Sequence, residues 1–328
     1  MRKIYYYTIL ILLCGSVYCG NSYCEIGDSY FAKGNDFYKQ RKFDQAINMY
    51  QKAYDINKEY LGAVYNLGIC YQAKGEFSKA INYFEKAVEL NPMYLSSYIG
   101  LGLTYTRLGM YDKAIGVYKT AIDIDNDSYV SHLNLAAVYA KKEAYNEAIK
   151  EAKIALKINP KDYNGHLILG NIYFVMGDYK NAIDEYEWIL KIEPSFVFAR
   201  LHIGMAYSEL GQFDKAIEYI EGSRSLVEDR GYVHYYLGKI LLKKHEQQGA
   251  DVDEAIRELK KAVEINPELI EVYLDIGKGY DIKNDTLLSI RYYRRYVESP
   301  LALEEEKREV NKIIKTLRSK LKNECLSP

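Results

Sequence analysis

The stretch that decides the fold is AVYNLGICYQAKGEFSKAINYFEKAVELNP, residues 63–92. Small and apolar residues recur at helical spacing in two runs, and Gly75 separates the two runs. Pro92 follows the second run, and a proline stops a helix because it lacks the amide hydrogen that would continue it. The stretch therefore predicts two helices joined by a tight turn.

The same pattern returns every 34 residues from Gly27 to Arg230, and it continues with one insertion to Leu303. We expect the insertion of five residues to lie in a loop around Glu246 to Val252. Position 8 of the repeat is glycine in seven of the eight repeats, and position 20 is alanine in seven. Such columns indicate eight copies of one supersecondary unit. The repeats begin at Gly27, Leu61, Leu95, Tyr129, Tyr163, Val197, Gly231 and Ile270.

Each column has a physical reason. Positions 4, 7, 8 and 11 share one face of a first helix, and positions 20, 24 and 27 share one face of a second helix. Small residues at positions 8 and 20 allow the two backbones to approach closely, and larger apolar residues at positions 11 and 24 fill the space beside them. The pattern therefore predicts an all-α protein of stacked helical hairpins.

These columns resemble the tetratricopeptide repeat family over residues 27–303. The resemblance implies an all-α, right-handed superhelical solenoid of eight helix-turn-helix repeats. The charged segment 304–322 carries Val310, Ile313, Leu317 and Leu321 on one stripe, so we expect a C-terminal capping helix there. The expected repeats span residues 27–60, 61–94, 95–128, 129–162, 163–196, 197–230, 231–269 and 270–303.

Residues 1–20 have the order of a secretion signal. Two basic residues precede a short apolar run, Ile4–Leu13, and small residues follow it. The run is shorter than the ~20 residues that span a membrane. An uncleaved anchor and a lipoprotein signal at Cys14 or Cys19 are the alternatives, although Leu13 and Tyr18 are large where a lipobox has a small residue. We therefore expect an exported protein of the periplasm or cell envelope.

Charge and motifs exclude several classes of function. The net charge of −1 does not favour broad binding to nucleic acid or anionic lipid, so the expected membrane contact is the N-terminal signal, anchor or lipid. His132, His166 and His234 recur at position 4, His202 lies at position 6, and all four are expected to pack or to line a groove. No catalytic, metal-binding or cofactor motif occurs, and the repeats occupy most of the chain. We expect no cofactor, no metal and no enzymatic activity.

The resemblance implies a binding groove on the concave face of the first helices, at positions 2, 5, 6, 9, 12 and 13. Asparagines there could pair with the backbone of an extended peptide, and tyrosines could supply contact area. Simple surface polarity is the alternative for the asparagines, and a partly core position is the alternative for Tyr235. The candidate groove residues are Asn35, Asn66, Asn134, Asn171, Phe174, Phe198, Tyr232, Tyr235, Tyr236 and Lys239.

The leading hypothesis is a scaffold that binds an extended peptide or a partner protein in this groove. Some members of the family clamp a peptide carboxylate, but Phe31, Ser96 and Gly100 stand where the clamp needs cations. A self-assembling structural protein is one alternative, so self-association stays open. An accessory subunit of an envelope enzyme, a glycosyltransferase or an export complex is the other.

Overall fold

The structure is a computed structural model that describes residues 21–226 and 230–324. The predicted signal segment, residues 1–20, lies outside the described residues. All regular structure in the described part of the chain is helical, which confirms the predicted all-α class. None of these helices is both long enough and apolar enough to cross a membrane.

Seventeen helices follow one another in the described ranges. They are α1 Asn21–Lys39, α2 Phe43–Ile56, α3 Leu61–Ala73, α4 Phe77–Leu90, α5 Leu95–Arg107, α6 Tyr111–Ile124, α7 Tyr129–Lys141, α8 Tyr145–Ile158, α9 Tyr163–Val175, α10 Tyr179–Ile192, α11 Val197–Glu209, α12 Phe213–Glu221, α13 Gly231–Gln248, α14 Val252–Ile265, α15 Val272–Ile282, α16 Thr286–Glu298 and α17 Glu304–Glu324.

Consecutive helices pair into hairpins, from α1 with α2 to α15 with α16. The hairpins form two compact units that divide between Pro160 and Lys161. Unit 1 contains the hairpins of α1–α8, and unit 2 contains those of α9–α16 together with α17. Each unit buries its own apolar clusters between neighbouring hairpins. Six of the first helices begin at the expected first position of a repeat, whereas α1 begins earlier, at Asn21, and α15 begins later, at Val272.

The inserted residues do not enlarge a loop, so that expectation was wrong. Helix α13 runs from Gly231 to Gln248, whereas the first helices of most other hairpins have 13 residues. The inserted residues extend α13 because KHEQQ contains no helix breaker. Gly249 then ends the helix with a left-handed backbone, at a φ of 71°.

The terminal helix α17 packs on the last hairpin, as a capping helix would. Val310, Ile314 and Leu317 are buried in a cluster with residues of α15 and α16. Ile313, which the sequence pattern put on the buried stripe, is instead 42% exposed. The buried residues are therefore spaced i, i+4 and i+7. This spacing is as typical of a helix as the predicted i, i+3 and i+7, so periodicity alone could not distinguish the two.

In five hairpins a glycine of the first helix packs against a ring of the second helix. A Cβ atom built on Gly102 would lie 2.6 Å from Cε1 of Tyr118, closer than any real contact. The same contact joins position 8 to position 24 in four other hairpins: Gly34 with Tyr50, Gly68 with Phe84, Gly170 with Tyr186 and Gly277 with Tyr293. The rings at position 24 are buried, so the glycines set the spacing of the two helices.

We predict that Gly102→Leu lowers the stability of the fold by ~1–3 kcal/mol, because the added side chain must displace the buried Tyr118 ring. The midpoint of urea unfolding followed by circular dichroism measures the change. Gly116→Ala is the control, since Gly116 lies inside α6 and its Cβ would meet nothing within 4 Å. That control should raise stability by about 0.5–1 kcal/mol. An unfolding midpoint for Gly102→Leu at or above that of the natural protein would contradict the contact.

Candidate functional site

We call the surface formed by positions 2, 5, 6, 9, 12 and 13 of the first helices the first-helix face. In unit 1 it carries Asn35 on α1 and Asn66 on α3. The Tyr50 hydroxyl donates to Oδ1 of Asn35 at 2.8 Å, and Nδ2 of Asn66 donates to the same oxygen at 3.2 Å. A cavity of about 360 Å³ opens at this cluster and also touches Tyr38 and Lys39. The asparagines are therefore held by the core and are not merely solvated polar groups.

The same arrangement occurs in unit 2, where Tyr186 donates to Oδ1 of Asn171 at 2.7 Å. Asn35 and Asn171 both occupy position 9, and their tyrosine partners both occupy position 24. An asparagine at position 9 together with a tyrosine at position 24 is therefore a signal in the sequence that indicates this hydrogen bond. Asn134 lies half-buried on α7, at position 6.

An aromatic cluster surrounds His202 on α11. The His202 ring stacks on Tyr186 with ring centroids 5.3 Å apart, and Phe174 approaches its edge at 6.3 Å. Burial lowers the pKa of His202, so this imidazole is neutral at pH 7. The sequence predicts only that His202 packs or lines a groove, and it does not identify Tyr186 as the partner because Tyr186 lies on a different helix.

The tyrosines of α13 divide into exposed and partly buried rings. Tyr232 is 41% exposed, and Phe198 on α11 is 56% exposed. Tyr235 and Tyr236 are half-buried, pack against the core of unit 2 and lie 5.5 Å apart by ring centroid. The ammonium of Lys239 lies 5.2 Å from the Tyr235 ring centroid. Burial, together with the nearby Asp275 carboxylate, raises the pKa of Tyr235, which agrees with a partly core position.

Charged residues beside these rings are paired with one another. A cavity of about 290 Å³ lies between α11, α13 and α15. Lys243 forms an ion pair with Glu209, and Lys278 forms one with Glu246 at 2.6 Å. Burial raises the pKa of Asp275 even though lysines lie near it. On this part of the first-helix face, Lys243 and Lys278 therefore already have carboxylate partners.

The position-4 histidines pack inside their hairpins and do not line the groove. In each case Nδ1 of the imidazole lies 2.6 Å from a glutamate oxygen at position 23 of the second helix. The pairs are His132 with Glu151, His166 with Glu185, and His234 with Glu258. Within residues 21–226 and 230–324, no three histidine, cysteine, aspartate or glutamate side chains are grouped as metal ligands would be.

Comparison with known sequences agrees with the hairpin geometry. Three sequence models described as tetratricopeptide repeats match residues 25–92 and 60–127, residues 105–172, and residues 163–196 and 199–223. The chain is a tetratricopeptide repeat protein. Stacked repeats of this family form extended surfaces that bind other proteins, so this chain is a protein-interaction scaffold. The comparison with curated proteins finds no match.

Solved structures share the fold of this tetratricopeptide repeat protein. A tetratricopeptide repeat protein from Parabacteroides merdae is 18% identical, with 79% of this chain and 99% of that chain covered and a TM-score of 0.61. The Cut9–Hcn1 hetero-tetramer of the APC/C is 20% identical over 77% of this chain and 46% of that chain, with a TM-score of 0.57. MamA is 26% identical over 53% of this chain and 96% of that chain, with a TM-score of 0.48. The first two likenesses confirm the repeat fold.

We predict that Glu258 stabilises this tetratricopeptide repeat protein in a pH-dependent way. Burial acts to raise the pKa of Glu258, but hydrogen bonds from Lys261 and His234 outweigh it and hold the pKa below its ordinary value of 4.5. The stabilisation is therefore present above pH 4.5 and is lost as the pH falls through the folded-state pKa. Glu258→Gln should lower the urea midpoint clearly at pH 7 and much less near the folded-state pKa.

The control for this measurement is Glu264→Gln, because Glu264 is an exposed carboxylate on the same helix. It should change the midpoint little at either pH. An equal loss of stability for Glu258→Gln at both pH values would show that packing, and not the charge of the carboxylate, is what matters.

Proposed function

We propose that this protein binds an extended segment of a partner protein along the first-helix face of unit 2 and catalyses no reaction of its own. The observation that carries the proposal is that two rings at position 2 of consecutive repeats, Phe198 and Tyr232, are exposed, while Tyr236 is half-buried one helical turn after Tyr232. Aromatic side chains give a large contact area at a small cost in conformational entropy, and they dominate many protein interfaces.

The asparagines support an extended ligand. Each amide has a donor and an acceptor side, and the tyrosine hydroxyl bound to Oδ1 of Asn171 fixes the orientation of that amide. Its Nδ2 group is then directed toward a peptide backbone without the entropic cost of ordering a free side chain. Asn35, held by Tyr50, has the same arrangement in unit 1.

The charges beside the rings favour a partner segment with little net charge. Lys243 and Lys278 already have carboxylate partners, and Lys239 lies over the Tyr235 ring. A strongly acidic or strongly basic ligand would have to compete with these pairs. We therefore expect a segment rich in apolar and aromatic side chains.

We predict that Tyr232→Ala/Tyr236→Ala weakens binding of such segments about tenfold or more, because it removes two rings from the face. The probe is a set of phage-displayed peptides selected on the natural protein, synthesised and titrated by isothermal titration calorimetry. Tyr232→Phe/Tyr236→Phe keeps the rings and should retain most of the affinity. Leu287→Ala, at a 70% exposed residue on α16, should change nothing. Unaltered affinity in the alanine variant, with an unchanged melting temperature, would remove these tyrosines from the site.

The proposed place of action is the cell envelope. The basic residues, short apolar run and small residues within positions 1–20 support export, and the same segment is the proposed membrane contact. We predict that the protein recovered from the native cell lies in the envelope fraction and lacks residues 1–20, as shown by fractionation and mass spectrometry of the N-terminal peptide. A cytosolic protein that retains this segment would contradict the proposal.

A further inference from the structure

A second cavity, of about 510 Å³, opens in unit 1 between α4, α5 and α6. None of the residues that line it occupies a position of the first-helix face. Its walls come from the core side of α5 and from the outward side of the second helices α4 and α6. The residues that line it include Glu85, Glu89, Tyr98, Leu101, Tyr105 and Val117.

The cavity contains a glycine that the fold does not require. Gly116 lies inside α6 with a helical backbone, and a Cβ atom there would meet nothing within 4 Å. A glycine inside a helix costs roughly 0.5–1 kcal/mol relative to alanine. All seven other repeats have a longer side chain at this position, position 22: Asn48, Asn82, Lys150, Asp184, Glu218, Arg257 and Arg291.

The neighbouring position also leaves the cavity open. In three other hairpins a glutamate at position 23 reaches the histidine at position 4 and fills this region. In the third hairpin position 23 is Val117, and position 4 is Tyr98, whose hydroxyl donates to the carbonyl oxygen of Pro92 at 3.0 Å. No polar pair therefore closes the space between α5 and α6 in this hairpin.

The walls combine rings and aliphatic groups with carboxylates at the rim. Tyr98 and Tyr105 contribute aromatic surface, and Leu101 forms part of the apolar floor. Glu85 and Glu89 are both exposed, and the Tyr105 hydroxyl lies 3.4 Å from a Glu85 oxygen. The Lys113 ammonium lies 5.4 Å from the Tyr105 ring centroid, so one cation faces two carboxylates.

We propose that this cavity binds a small organic cation, an ammonium or guanidinium group carried on an aromatic or aliphatic body. The body would pack against Leu101 and Val117, and the cation would lie between the tyrosine rings and the carboxylates of Glu85 and Glu89. Ring faces and carboxylates both attract a cation. The volume lies within the ~300–1,000 Å³ of small-molecule sites, which favours a free molecule over a single arginine side chain of a partner.

The test titrates the full chain with 4-phenylbutylammonium by isothermal titration calorimetry. The alcohol 4-phenylbutan-1-ol and the anion 4-phenylbutyrate match its body but lack its charge. We expect saturable binding of the ammonium compound and binding about tenfold or more weaker for the other two. An arginine-containing tripeptide with blocked termini tests the alternative that the cation is an arginine side chain of a partner protein. Tighter binding of that peptide would overturn the assignment to a free molecule.

Two variants and one matched control test where the cation binds. Gly116→Trp should fill the cavity and abolish binding without lowering the unfolding midpoint, because open space surrounds Gly116. Asn48→Trp introduces the same side chain at the same repeat position of the first hairpin, at an exposed residue that does not line the cavity, and should leave binding unchanged. Glu85→Gln/Glu89→Gln should remove the preference for the ammonium over the alcohol. Equal binding of all three compounds, or full binding by both Gly116→Trp and the double glutamine variant, would overturn the site.

Discussion

The contact between a small residue at position 8 and a buried side chain at position 24 determines how close the two helices of a hairpin lie. Where position 8 is glycine, an added methyl group would collide with a ring or a branched side chain of the second helix, as Gly102 would with Tyr118. Protein interiors are packed nearly as densely as crystals, so such a contact tolerates little change. Because the hairpin is repeated along the chain, one local constraint is imposed again in each copy.

The contact between positions 8 and 24 also affects the surface of the hairpin. In two hairpins the tyrosine ring at position 24 packs against the glycine and brings its hydroxyl to the first-helix face. Tyr50 and Tyr186 then bind the oxygens of Asn35 and Asn171. A buried hydroxyl needs a partner, and an asparagine at position 9 supplies one while keeping its own amide hydrogens near the surface. The core of the hairpin thereby orients the polar groups that we propose to bind a peptide backbone.

The hairpins differ from one another at positions 4, 22 and 23, which lie outside the first-helix face. Where positions 4 and 23 are histidine and glutamate, the two side chains meet at 2.6 Å and fill the space between the helices. Where they are Tyr98 and Val117, with Gly116 beside them, the same space is a cavity. A uniform backbone repeat can therefore carry distinct sites, since the residues that shape these sites lie outside the glycine and alanine columns.

The sequence by itself determined the helices, their pairing and the class of the fold, because glycine and alanine columns and helical spacing report on neighbours within one short hairpin. Only the tertiary structure decided that the inserted residues lengthen α13, that Ile314 and not Ile313 faces the core, and that His202 stacks on Tyr186. The histidine–glutamate pairs and the cavity at Gly116 also emerged only there. Each of these features depends on which side chains of two different helices come into contact. The spacing of residues along one helix carries no information about the distance between side chains of different helices.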